Sequence, residues 1–103
     1  MHRNSWLVLV ASALVALAFP AQAAGDVESG KTLADKQCAA CHGPLGEGKG
    51  KNPPLAGLDE GAHVAAMQDY KSGARKHAMM EKLATKLSDQ EIADMAAYYA
   101  SLK

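Results

Sequence analysis

Residues 38–43 read Cys-Ala-Ala-Cys-His-Gly, and this stretch decides what kind of chain this is. Two thiols three positions apart at a helix end can add to the two vinyl groups of one haem. The adjacent imidazole then reaches the iron. Tethering and proximal ligation in one short block form the c-type haem attachment signature. The spacing therefore predicts one haem c, covalent through Cys38 and Cys41, with His42 on the metal. The rival readings lack their context. A CxxC oxidoreductase sits near a βαβ pattern, and none is visible. A structural zinc site needs four ligands, but there is no third cysteine. A plain Cys38–Cys41 disulfide would leave a small core unfilled.

That core is thin. Trp6 and Phe19 fall in the first 23 residues, which leaves Tyr70, Tyr98 and Tyr99 as the aromatics of the remainder. Small domains of this kind usually need a staple, a metal or a cofactor.

Upstream, His2 and Arg3 precede an apolar run over residues 6–19, closed by Pro20 and the Ala21-Gln22-Ala23 cleavage pattern. This is the anatomy of a signal peptide. The run is shorter than the roughly 20 residues of a membrane span. The expectation is a cleaved segment 1–23, a single domain 24–103, and export to the periplasm with no membrane span afterwards. Eleven Lys+Arg balance eleven Asp+Glu in the whole chain. That balance argues against a nucleic-acid binder, which carries a marked basic excess.

Downstream, Gly43 to Lys49 (GPLGEGK) imitates a phosphate-binding loop. Residue 50 is Gly where Ser or Thr is needed, and no strand precedes it. The glycines read instead as loop backbone passing close to a haem. The rest is helical in pattern, with no strand. A first helix spans about 27–40, capped by Asp26. A second spans about 60–72, with Val64, Met67 and Tyr70 on one face and Gly73 at its end. A short polar turn leads to the Met79-Met80 pair and one helical turn to Ala84. Ser88 and Glu91 form a capping box for a last helix. Its apolar stripe is Ile92, Met95, Ala96, Tyr99 and Leu102, with Asp89, Glu91 and Asp94 towards water. Seven basic residues between 49 and 86 are candidates to ring an exposed haem edge and steer an acidic partner.

The sixth iron ligand stays open on these grounds. Met67, Met79, Met80 and Met95 offer sulfur, and His63 and His77 offer nitrogen. Met67 and Met95 lie on apolar faces and read as core filler.

Gly30, CAACHG at 38–43, PPLAG at 53–57, YKSGAR at 70–75, AMMEKLA at 78–84 and LSDQEIADMAAYYASL at 87–102 together resemble the small bacterial class I cytochromes c. The likeness extends to the haem domains of flavocytochrome c sulfide dehydrogenase and of dihaem carriers. It implies an all-α class I cytochrome c fold, three main helices plus a short helical turn around one haem. It selects Met80 as sixth ligand, because the family's methionine stands four residues before the alanine at 84. It also implies that a proline carbonyl, that of Pro53 or alternatively Pro54, accepts the second N–H of the ligand His42. Gly30 and Tyr99 become the expected contact of first and last helices. Two positions depart from the pattern. Leu58 stands where Gln is common, and His77 where Asn, Asp or Ser is common. His77 reads as a surface residue that adds a nitrogen near the sixth position.

A six-coordinate His/Met haem has no open site, so the implied function is one-electron transfer between redox partner proteins, a reductase or dehydrogenase donor and an oxidase or reductase acceptor, rather than catalysis. Class II cytochromes, with open iron, carry CxxCH near the C-terminus, whereas here it lies near the start of the domain. Two alternatives are an electron-relay subunit of a flavoprotein or oxidase complex, and a haem enzyme or gas sensor with an open iron.

Overall fold

The computed structural model describes residues 25–102. The expected signal peptide over 1–23 and the expected start of the domain at Ala24 lie outside the described residues. Five helices follow one another: α1 (Val27–Gln37), α2 (Ala39–His42), α3 (Glu60–Ser72), α4 (Ala78–Thr85) and α5 (Asp89–Ser101). Among the described residues none is long and apolar enough to cross a membrane.

The cap of α1 is the expected one. Asp26 Oδ1 accepts the N–H groups of Glu28 (2.9 Å) and Ser29 (3.1 Å). The helix stops at Gln37, short of Ala40, because Cys38 leaves the ideal geometry at φ −114°. The backbone bonds carry on across the break. Cys38 donates to Ala34 O and His42 to Cys38 O, both at 2.9 Å. The short α2 therefore holds its cysteine and histidine in fixed relation to α1.

The expected single turn after the Met pair is an eight-residue helix, α4. His77 is the reason. Its Nδ1 accepts the Met80 N–H (3.3 Å), and Glu81 Oε2 accepts the His77 N–H (3.2 Å). Two otherwise orphaned donors are satisfied reciprocally, as in a capping box. Asn, Asp and Ser, the residues common here in similar cytochromes, are strong N-caps. His77 does the same work with a ring nitrogen. At α5 the Ser88–Glu91 box is present in both directions, at 3.1 and 3.0 Å.

Asp94 does not face water. It is 7% exposed, and its Oδ1 accepts from the Asp26 N–H (2.8 Å) and the Gln90 amide (2.9 Å). The cause is how closely α1 lies on α5. A Cβ on Gly30 would stand 1.9 Å from Asp94 O, and one on Gly25 2.0 Å from Ala93 O. Gly30 thus meets the α5 backbone, not Tyr99. Tyr99 packs instead against Gly46, where a Cβ would fall 2.6 Å from the ring. Gly30→Ala should destabilise the protein by roughly 3 kcal/mol, the upper range for overpacking, because backbone cannot rotate away. The midpoint of thermal unfolding should fall by on the order of 10 °C. A drop of only a degree or two would mean that the helices slide apart cheaply.

Two small cores result. Met67, Ala84, Leu87, Ile92 and Met95 form one. Ala34, Tyr98 and Tyr99 form the other. Cys38 packs against both.

Candidate haem site

Between α2, α3, α4 and the 43–57 loop lies a cavity of about 370 Å³. Cys38, Cys41, His42, Pro53 and Met80 all line it, whereas Met95, another sulfur candidate, does not. Its size is that of a small-molecule site. Leu55, Leu58, Met67, Leu83 and Leu87 make much of the remaining wall apolar.

His42 is buried, and its Nδ1 lies 2.8 Å from the carbonyl oxygen of Pro53. A carbonyl has no proton to give, so Nδ1 carries the hydrogen and Nε2 keeps its lone pair. The choice between Pro53 and Pro54 thus falls to Pro53. The loop is laced to α2 around this bond. Asn52 Nδ2 donates to Cys41 O (2.9 Å), and the Gly48 N–H to His42 O (2.7 Å). The loop glycines 43, 46, 48 and 50 all have positive φ, and none lines the cavity. Their left-handed backbone is what the loop requires.

Cys38 and Cys41 are not bridged to each other. Burial pushes the Cys38 thiol up, partly offset by the Tyr99 hydroxyl beside it. Burial likewise raises the Tyr99 phenol, helped by Cys38. The donor set fits a haem. Two cysteine sulfurs, an imidazole with its lone pair open and a thioether converge on an apolar crevice. Met80 is half-buried against the Met67 and Met95 cluster, while Met79 is 57% exposed.

The basic ring is only partly realised. Lys51 and Arg75 line the cavity. Lys71 is drawn away, donating to Leu87 O at 2.7 Å and facing Asp89 at 3.6 Å. Lys76 faces Glu81 at 4.0 Å. Two cavity residues had other roles in the sequence reading. His77, expected as a surface residue with a nitrogen near the sixth position, is a helix cap. His63 was only a spare nitrogen ligand, but it is 5% exposed and its ring stacks on Tyr99 at 5.7 Å. Its position four residues before Met67, on the inner face of α3, was the available signal.

The comparisons bear on this site. The family described as cytochrome c matches residues 27–103. Cytochrome c4 of Pseudomonas aeruginosa is 46% identical over 84 residues, covering 81% of this chain and 41% of that protein. Cytochrome c-554(547) of Halothiobacillus neapolitanus is 37% identical over 91 residues, covering 78% of this chain and 100% of that protein. The solved cytochrome c4 of Acidithiobacillus ferrooxidans superposes with a TM-score of 0.72 at 28% identity, covering 74% of this chain and 49% of that one. The chain thus spans half or less of the length of the cytochromes c4 it matches and the whole length of a shorter relative. Its helical fold is that of the class I cytochromes. On a match that begins with the first residue of α1, the chain belongs to the cytochrome c family and its cofactor is one covalently bound haem c.

Proposed function

We propose that this chain is a one-electron carrier in which His42 and Met80 would be the two protein ligands of the haem iron. One observation carries the reading: His42 and Met80 line the same apolar cavity, and Pro53 pins the His42 ring with Nε2 left to bind. When bound, the haem supplies an iron couple that changes by one electron. The chain's own part is orientation and exclusion. Pro53 O fixes the imidazole's tautomer and raises its basicity. Leu55, Leu58, Leu83 and Leu87 keep water from the cavity wall, so little solvent has to reorganise when the charge changes. Met80 supplies a neutral sulfur from a capped helix. His77 is a weaker candidate, because its Nδ1 already accepts the Met80 N–H. We place the carrier in the periplasm, exchanging electrons with a donor and an acceptor protein and transforming no substrate itself.

The test is a potentiometric titration of the haem-loaded protein, followed by cyanide addition to the ferric form. A single reversible one-electron step and slow cyanide uptake are expected. A high-spin ferric spectrum with immediate cyanide binding would overturn the closed His/Met site and favour an open-iron enzyme or sensor.

A further inference from the structure

Helix α4 is anchored firmly at one end and lightly at the other. Its last turn carries the fully buried Ala84 and runs on into the buried Leu87, both in the core with Ile92 and Met95. Residues 74–79, by contrast, are all exposed. Met80, which lines the cavity, comes where this exposed stretch ends. The contacts that tie the stretch down centre on His77. Its Nδ1 accepts the Met80 N–H, and its own N–H goes to Glu81 Oε2. Its ring stands edge-on to Tyr70 of α3, with centroids 6.5 Å apart. The other neighbours reinforce that anchor. The Arg75 guanidinium lies 5.3 Å from the centre of the Tyr70 ring, and the Arg75 N–H donates to Asp69 O at 3.1 Å.

A helix of eight residues is too short to persist by its own hydrogen bonds, and its first N–H groups have no partner within the helix. The first turn of α4 therefore depends on its cap. When that turn frays, the backbone at residue 80 moves, and the Met80 sulfur moves with it. We propose that His77 is a positioning residue for the sixth ligand: its bond to the Met80 N–H sets how readily Met80 leaves the iron. The inference rests on Met80 being that ligand. The Tyr70 contact serves the same end, because it fixes the ring whose Nδ1 makes the bond.

The experiment adds imidazole to the ferric, haem-loaded protein at one fixed pH and follows binding by stopped flow. An entering ligand must wait for Met80 to leave, so the rate levels off as imidazole rises, and the plateau reads the departure step. His77→Ala should raise the plateau by roughly fivefold, the ordinary worth of a lost cap. His77→Asn caps through a side-chain oxygen and should bring the plateau back towards the unmutated value. His77→Phe keeps a ring for Tyr70 but offers no acceptor, so it should behave like Ala. Ser88→Ala is the comparison for stability alone. It strips the cap from α5, outside the cavity wall, and should lower the unfolding midpoint while leaving the plateau unchanged. Equal plateaus for Ala and the unmutated protein would overturn the proposal. So would a Ser88→Ala plateau raised as far as that of His77→Ala, or a His77→Phe plateau at the unmutated value. If His77→Ala does not accumulate in loaded form, Phe against Asn decides: a faster Phe supports the proposal, and coincident plateaus overturn it. Failure of the ligand reading looks different. The unmutated protein would then lack the sulfur-to-iron band and bind imidazole at once without a plateau.

Discussion

Met80→His lowers the midpoint potential by on the order of a hundred millivolts or more, and Met80→Ala opens the ferric iron to added cyanide or imidazole. Thioether is a soft, neutral ligand that favours ferrous iron, whereas imidazole donates more strongly and favours ferric. Axial ligands move haem potentials over roughly 0.8 V, so a change well beyond the ~59 mV of a tenfold one-electron shift is expected. The structure makes these variants readable. The start of α4 uses only the Met80 backbone N–H in its bond to His77, so the cap survives a side-chain change. Met79→Leu is the control. Its side chain is 57% exposed, and its loss should leave the ferric sulfur-to-iron charge-transfer band in place. Should Met79→Leu abolish that band while Met80→Ala keeps it, the ligand is Met79.

Replacing both Cys38 and Cys41 by Ala should convert a haem that resists acid-acetone into one that is extracted almost completely. The motivation is the pair of unbridged cysteines at the cavity wall. The single variants separate chemistry from packing. Cys41 is exposed, so Cys41→Ala should remove one thioether with little cost in stability. Cys38 touches both hydrophobic clusters, so Cys38→Ala should also destabilise by on the order of 1 kcal/mol through the space it leaves. Denaturant titration of the two single variants checks the difference. Equal midpoints would mean that Cys38 contributes attachment alone.

The haem block, the capping box at Ser88 and the stripe on α5 were legible in the sequence because each is a local signal. CxxCH needs no tertiary context, and Ser-x-x-Glu before an apolar run carries its own hydrogen bonds. The misreadings of Asp94, Gly30 and Tyr99 depend on what another segment does. Asp94 looks solvent-facing from periodicity alone, since nothing local says that the N–H of Asp26 will arrive beside it. Gly30 was correctly marked as a helix contact, but its neighbour is the α5 backbone. Tyr99 was spoken for by Gly46, a loop glycine distant in sequence. His77 escaped because N-cap expectations name oxygen acceptors, and an imidazole nitrogen in the same place does not show in composition.

The Asp26–Asp94 bond has a kinetic side. It joins residues 68 apart in sequence, and closing a loop of that length costs roughly 4 kcal/mol of chain entropy before any constant term. The haem block lies inside that loop. Before α1 meets α5, the Cys38 thiol is solvated and ionises at its ordinary value. Afterwards it is half-buried and its thiolate is disfavoured. Because the thiolate is the nucleophile, Cys38 is more reactive in the open chain than in the closed one. The docking of the terminal helices therefore makes the Cys38 thiolate less favoured than it is while the two ends of the domain are still apart.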